Sequence, residues 1–421
     1  YLISFIIAAL KIIFILGFLV FIHEGGHFLV AKLCKIKVNE FAIGFGPTVW
    51  KKQGKETKYA LRLIPLGGFV SMEGEEERSD EEGSFSKASI PKRIAVVAAG
   101  GLVNIIFALL VYFVLMSFTG NNVSNYVDSV IPDTSAQQVG LMSGDKILKV
   151  NGKTIFYKAD LDEALQNCNG ETLEVVIERN GEEQTLQLEP MTEQYNYTGI
   201  AISGAGELNT EIAAIYPNSP ADMQGLETKD VILSVNGVEV QGDAQKLIEE
   251  INQNIGEVLK FTIERNGETL DLSITPEVRA NYYLGVYLKL AENNFANNVY
   301  YAFFETGEFA FSIVDNLKLL FTGNVSIDQM MGPVGIGEVV AQTNGFADFI
   351  YILALVSISL GFTNLLPFPP LDGGKIVILL IEAIRRKPMK QQTELTIQMI
   401  GFMLLIGLSI IVTYNDVLRV F

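Results

Sequence analysis

The sequence predicts a polytopic α-helical membrane protein of four spans, with two β-rich domains inserted between spans and a membrane-associated β-hairpin. Three observations lead there. Apolar residues gather into long blocks, an internal repeat with an offset of 85–86 residues lies between the second and third blocks, and alternating residues punctuated by glycine follow the first block. The 421 residues are 49% hydrophobic, with mean hydropathy +0.30. That is too apolar for an ordinary acidic soluble protein and too charged for a bare bundle of spans. The expected spans are residues 1–31, 94–118, 346–384 and 394–415, each meeting the ~20-residue requirement for crossing the hydrocarbon core.

The first block ends in His23-Glu-Gly-Gly-His27. His-Glu-x-x-His puts two imidazoles on one helix face with a carboxylate beside them, the arrangement that hydrolyses bonds with zinc-activated water. A cleaved signal peptide is not expected, because this motif lies inside the block and no small-residue cleavage site follows it. Residues 32–93 then read as a hairpin and an acidic linker. Phe41–Trp50 and Lys58–Met72 are strands apolar enough to dip into the membrane. An exposed edge there would capture an extended peptide by strand addition, with Gly67 and Gly68 as candidate substrate contacts. Glu73–Glu82 is expected to be solvated and mobile.

The net charge of −17 comes from one block: residues 120–294 hold 28 Asp/Glu against 11 Lys/Arg. Nucleic acid is therefore excluded as a partner, since phosphate contacts need a basic surface. Lys32, Lys35 and Lys37 follow the first span, and Lys87, Lys92 and Arg93 precede the second. Arg385, Arg386, Lys387 and Lys390 separate the last two. Basic flanks face the cytoplasm, so the acidic block and both chain ends are expected outside. Cys34 and Cys168 fall on opposite sides of this topology and imply no disulfide.

Within the acidic block, Gly140-Leu-Met-Ser-Gly-Asp-Lys-Ile-Leu-Lys-Val-Asn-Gly152 matches Gly225-Leu-Glu-Thr-Lys-Asp-Val-Ile-Leu-Ser-Val-Asn-Gly237. Ile177-Glu-Arg-Asn-Gly181 matches Ile263-Glu-Arg-Asn-Gly267, and Tyr197-Thr-Gly-Ile200 matches Tyr283-Leu-Gly-Val286. This is a duplicated domain, bounded at 119–206 and 207–293. Each copy has short alternating strands, Asn-Gly turns and one polar helix candidate. The copies resemble PDZ domains of the bacterial protease-associated kind, which bind peptide ends by strand addition. Gly199 and Gly285 then mark the peptide-binding loops. Each copy is expected to be circularly permuted, with its loop strand supplied from its own C-terminal end. Two β-rich spacers that bind nothing are the bland alternative.

His23 and His27 are the only histidines. A catalytic zinc needs a third protein ligand and an open position, so that ligand must be a carboxylate or thiolate. Asp372, in Asn364-Leu-Leu-Pro-Phe-Pro-Pro-Leu-Asp-Gly-Gly374, is the natural candidate, because an intramembrane acid is costly unless paired. Three prolines before it break the helix, so the backbone there is expected to line a cavity. Glu382 lies by the basic 385–387 end and is expected to be interfacial. Residues 294–345 read as an amphipathic segment on the outer membrane surface, with Gly332–Gly337 as a tight turn near the membrane.

His-Glu-x-x-His in a first span with Asn-x-x-Pro-x-x-x-x-Asp-Gly in a late span is similar to the site-2 protease family of intramembrane zinc metalloproteases. The paired PDZ-like domains between spans two and three suggest its bacterial RseP-type branch. The resemblance implies that His23, His27 and Asp372 bind Zn2+, that Glu24 activates water, and that Asn364 assists substrate or transition-state binding. Asn104 is a further implied substrate contact, although Gly100-Gly-Leu-Val-Asn104 stands where Gly-Pro-x-x-Asn is expected. Implied partners are the lipid bilayer and single-span membrane proteins trimmed beforehand, such as anti-sigma factors or signal-peptide remnants. The implied location is a bacterial inner or plasma membrane, with the active site near the cytoplasmic side and the PDZ-like domains outside. A catalytically silent PDZ scaffold is the alternative, and Glu24 argues against it. A metal transporter fits worse, since two histidines and one aspartate are too few polar groups for a conduction path.

Overall fold

Apolar runs, prolines and glycines set the helical framework in the computed structural model, which describes residues 2–75, 77–120, 122–202, 210–216, 218–321, 340 and 345–420. Two compact units emerge, one of residues 1–120 and 292–421, the other of residues 121–291.

In the first unit, α1 (Leu2–Leu33) and α2 (Ile90–Thr119) are long apolar helices. Pro91 sits in the first turn of α2, where its missing N–H costs nothing. Gly120 closes α2 in the left-handed region, its N–H bonded to the Met116 carbonyl. After the second unit comes α7 (Phe295–Phe321), then α8 (Phe346–Leu365), α9 (Asp372–Arg385) and α10 (Gln391–Val420). Four stretches are long and apolar enough to cross a membrane: Ala9–Leu33, Ile90–Thr119, Phe346–Leu365 and Gln391–Asn415. The segment 346–384, expected as one span, is two helices. Pro367, Pro369 and Pro370 withhold amide hydrogens and bar helical geometry before them, leaving Leu366–Leu371 non-helical.

Small residues let these helices approach closely. A Cβ on Gly101 of α2 would lie 2.8 Å from the Gly361 carbonyl of α8, and one on Gly361 would lie 2.6 Å from the Gly101 carbonyl. Beside them, Ser357 Oγ donates to the Asn104 carbonyl at 2.8 Å. On α7, Asn298 Nδ2 donates to Ser117 Oγ of α2 at 3.1 Å, and Phe295 meets Phe113 edge-on. The expected turn at Gly332–Gly337 lies outside the described residues.

Between α1 and α2, β1 (Val38–Gln53) and β2 (Lys58–Met72) form a bent hairpin. Glu40–Ile43 is paired on both sides, with Gly68–Ser71 and with Lys58–Leu61. Its base is buried with Ala31 of α1, Val96 and Val97 of α2, and Leu379 of α9. The linker after β2 is more anchored than its acidity suggested. Asn39 donates to Glu73, Lys375 pairs with Glu75 at 2.6 Å, and Lys37 pairs with Glu81 at 2.8 Å. Glu382 also departs from expectation: it is 5% exposed, held by Arg93 Nη1 at 3.1 Å and by the Met389 amide at 2.6 Å. The α9 face that carries it turns onto α2, and the arginine neutralises the charge that would otherwise hold it at the interface.

In the second unit, each copy runs strand, short helix (α3, Ser135–Gln138; α5, Pro220–Met223), hairpin, helix (α4, Lys158–Gln166; α6, Ala244–Asn252) and three strands. The first copy spans β3 (Val123–Val130) to β8 (Met191–Tyr197), and the second spans β10 (Ile212–Ile215) to β15 (Glu277–Tyr283). At Asn151-Gly152, Asn180-Gly181, Asn236-Gly237 and Asn266-Gly267 both turn residues have positive φ, the twist that suits tight hairpins. The closing strands do not serve their own copies. After the second copy, β16 (Val286–Leu290) pairs with β3 of the first, Val286 opposite Val130. After the first copy, β9 (Ile200–Ile202) pairs with β10 of the second, Ile200 opposite Ile215. Leu284 accordingly enters the core of Ile147, Leu173, Ile177 and Leu188, whereas Ile200 and Ile202 cover the core of Ile232, Phe261 and Ile263. The expected boundary at 206/207 therefore does not separate the two cores. Strands β8 and β15 pair with each other, Met191 opposite Tyr283.

The repeated Asp and Arg residues form one device twice. Arg179 grips both carboxylate oxygens of Asp145 at 2.7 Å and also donates to the Gly140 carbonyl. Arg265 does the same to Asp230 and the Gly225 carbonyl. Burial pushes the Asp145 carboxyl up, but the Arg179 fork and the Met142 amide outweigh it and hold the group below its ordinary value. Because the folded value is depressed, the stabilisation is present above the unfolded value of about 3.9 and is lost as pH falls through the folded one. Asp145→Asn should cost about 1.5–3 kcal/mol at pH 7. The check is the urea midpoint of the β4 (Lys146–Val150) and β6 (Leu173–Arg179) amides, read by pulsed hydrogen exchange. The wild-type advantage should be smaller at pH 3 than at pH 7, and an equal advantage at both pH values would refute the linkage.

Candidate metal centre

Helical spacing alone puts His23 and His27 one turn apart on α1. The proline-broken loop then delivers Asp372, the first residue of α9, opposite them. His23 Nε2 and His27 Nε2 are 3.2 Å apart, and Asp372 Oδ2 lies 3.3 and 3.4 Å from them. Zinc bonds of about 2.0–2.1 Å in tetrahedral geometry place neighbouring ligand atoms about 3.3 Å apart. The triangle thus has the size of one face of a zinc site. Asp372 Oδ2 is buried with no hydrogen-bond donor, a costly state for a carboxylate unless a cation meets it. Two imidazole nitrogens facing each other at 3.2 Å make the same demand. The donor set fits zinc.

The outer faces of the imidazoles are tied down, as metal-binding histidines require. His27 Nδ1–H donates to the Val96 carbonyl at 2.8 Å, which leaves Nε2 with its lone pair toward Asp372. The Asn104 amide lies 3.4 Å from His23 Nδ1, and with its oxygen toward the ring it accepts the Nδ1–H. Asn104 is fully buried. It packs behind His23 and is not among the described residues that line the cavity.

Glu24 lines the same cavity, about 830 Å³, with His23, His27 and Asp372. Strand β2 supplies one wall through Phe69 and Ser71. Gly68 lies against Glu24: a Cβ there would be 3.2 Å from Glu24 Cγ and 2.9 Å from the Ala42 carbonyl. Gly67, at φ +95°, faces the Phe45 ring and not the cavity. Asn364 is half-buried in the last turn of α8 and is not among the described residues that line the cavity. Gly199 and Gly285 belong to the second unit, where their carbonyls accept from the Tyr216 and Ile131 amides at 2.9 Å.

Two contributors escaped the sequence reading. Lys375, one turn beyond Asp372, lines the cavity and pins Glu75 at its edge. Gly100 sits where any side chain would enter the metal centre: a Cβ would run into His27 Nε2 and lie 2.7 Å from His23 Cε1. The Gly100-Gly101 pair inside an apolar span was the available signal. Gly100→Ala should weaken zinc binding about ten- to a hundredfold, as loss of a supporting neighbour does, with helix content unchanged. Zinc stoichiometry under graded chelator competition measures it, and wild-type affinity in the variant would refute the steric argument.

Comparison with known proteins gives the same reading over nearly the whole chain. The profile of peptidase family M50 matches residues 11–408. A regulator of sigma E protease from Haemophilus influenzae is 32% identical, covering 99% of this chain and 98% of that protein. The zinc metalloprotease RasP of Shouchella clausii is 33% identical, covering 98% and 99%. Protease RseP of Yersinia pestis is 28% identical, covering 96% and 97%. With the donor triangle and the apolar helices around it, these matches settle the family: the chain belongs to peptidase family M50, the site-2 proteases, and is a zinc metalloprotease of the membrane.

Proposed function

We propose that the protein cleaves transmembrane segments of single-span membrane proteins after their outer domains have been trimmed. The observation that carries this reading is the convergence of His23, His27 and Asp372 beside Glu24 in a cavity walled by apolar helices and one strand. His23, His27 and Asp372 are the zinc ligands, and zinc supplies the Lewis acidity that makes water nucleophilic at neutral pH. Glu24 takes the proton of the attacking water and hands it to the departing amide nitrogen. A C–O bond forms, the C–N bond breaks, and the proton ends on the new amine. Val96 and Asn104 hold the imidazoles in the tautomer this requires.

A helical substrate must unwind before its peptide bond is accessible. Gly68–Met72 pairs along one edge with Val38–Ile43, and its residues Phe69, Ser71 and Met72 line the cavity. An extended substrate adding to its other edge would keep its backbone hydrogen bonds while lying beside Glu24. Gly68 leaves room for that approach, and Asn364 assists from the end of α8. The basic residues at the span ends support a reading with this site toward the cytoplasm and the acidic unit outside. Similarity to a regulator of sigma E protease from Haemophilus influenzae supports membrane-tethered anti-sigma factors as substrates.

Glu24→Gln should lower cleavage about a hundred- to ten-thousandfold with zinc retained, whereas Asp372→Asn should lose zinc as well as activity. Full zinc occupancy in Asp372→Asn, or normal cleavage by Glu24→Gln, would sink the assignment. We read the two repeats as PDZ-like domains with exchanged closing strands that serve mainly as a size filter for outer domains, with Gly199 and Gly285 keeping peptide-end binding available. Replacing residues 122–291 by a short linker should let untrimmed substrates be cut while trimmed ones are still cut. Discrimination that survives the replacement would defeat the filter, and reduced cleavage of trimmed substrates would indicate recruitment instead.

A further inference from the structure

At the end of α9 remote from Asp372 lies a second polar cavity, about 470 Å³. Its wall includes the start of α2 and the end of α9, and the linker closes one side through Arg78 and Asp80. The lining is basic: Arg78, Lys87, Arg93, Arg386 and Lys387 face Asp80 and Glu382. The carboxylates do not balance these cations. Glu382 is committed to Arg93 at 3.1 Å, with Arg78 3.8 Å away and the Met389 amide on its other oxygen. Lys87 is drawn to Asp80. Among the described residues no carboxylate pairs with Arg386 or Lys387, and both are exposed. A chain of net charge −17 thus keeps a concave cationic site at one end of its helices.

The helix that supplies Glu382, Ala383 and Arg386 to the cavity also carries an exposed apolar stripe. Val377, Leu380, Ile381 and Ile384 recur at helical spacing along α9 and are exposed, Ile384 by 83%. This stripe ends at Arg385, where the cationic rim begins. A free anion would use the rim and ignore the stripe, whereas an amphiphile with a negative head uses both. We propose that the cavity binds the phosphate headgroup of an anionic phospholipid whose acyl chains run along the Val377–Ile384 face of α9. Basic pockets between helices at a membrane surface take such headgroups. The site also bears on the metal centre, because its cations come from α2 and α9. Those helices carry Gly100 and Asn104 on one side and Asp372 on the other, so a bridging phosphate tethers the two walls of the zinc site at their far ends.

The test uses the full-length protein, delipidated in neutral detergent, with lipid retention read by native mass spectrometry. The probes are short-chain phosphatidylglycerol, short-chain phosphatidylcholine and inorganic phosphate. Phosphatidylglycerol should be retained over phosphatidylcholine, and R386Q/K387Q should weaken that retention about 30-fold, the loss expected for two basic residues at a headgroup. Zinc content verifies the fold of each variant. Asp80→Asn removes a fully exposed acid from the rim and should strengthen retention, which keeps the proposal testable should the double variant not fold. Equal retention of the two lipids, or unchanged retention in both variants, would overturn the proposal. Displacement of phosphatidylglycerol by equimolar inorganic phosphate would show a plain anion site and overturn the lipid assignment. None of these readouts depends on cleavage, so a failed substrate assignment and a failed lipid site remain distinguishable.

Discussion

Three side-chain donor atoms, from His23, His27 and Asp372, brought within 3.2–3.4 Å of one another inside an apolar helix bundle are the constraint on which the rest of the structure depends. Unpaired, such a cluster would be expensive in a medium that offers no water to its lone pairs. Every outward-facing polar atom of the imidazoles therefore has a partner on α2, and α2 must come close enough to supply them. Gly26 and Gly100 make that approach feasible: a Cβ on Gly26 would lie 2.6 Å from the Ala99 carbonyl, and Gly100 leaves space for the rings. The Gly101–Gly361 contact repeats the device one layer further, bringing in α8 and through it the loop that carries Asp372. Helix packing here holds the donor triangle together.

The same economy of polar groups explains α9. Asp372 begins this helix and Glu382 lies nearly three turns on, both half- to fully buried, and each is met by cations or cation-demanding geometry. Arg93 draws Glu382 to the start of α2, so α9 is fastened at both ends by charge while its apolar stripe stays free. A helix tethered only at Asp372 would leave that ligand's position to the flexibility of a proline loop.

Much of this was legible in the sequence, for identifiable reasons. His23, Glu24 and His27 are local, and helix periodicity fixes their relation. Asp372 followed by elimination, because the chain has no third histidine and few acids in its apolar blocks. The Asn-Gly turns stated their own geometry. What escaped was non-local. Glu382 looked interfacial because its neighbours in sequence are basic, yet its partner Arg93 is 289 residues away. Gly100 is defined by what it excludes, which no periodicity encodes. The exchange of β9 and β16 was invisible for a deeper reason. Tyr197-Thr-Gly-Ile200 and Tyr283-Leu-Gly-Val286 are near copies, and similar strands fit either sheet, so pattern alone cannot say which core Leu284 or Ile200 enters.

Strand β16 beside β3 carries a consequence of its own. The chain enters the second unit at Asn122 and leaves it at Ala291, and the Ala291 amide donates to the Asn122 carbonyl at 2.7 Å. The ends of this unit, residues 121–291, are thus held together by one backbone hydrogen bond. The interlaced strands bind the two copies to each other, since removing either takes a strand from the other's sheet. The pair is therefore one structural cassette, even though its sequence reads as two.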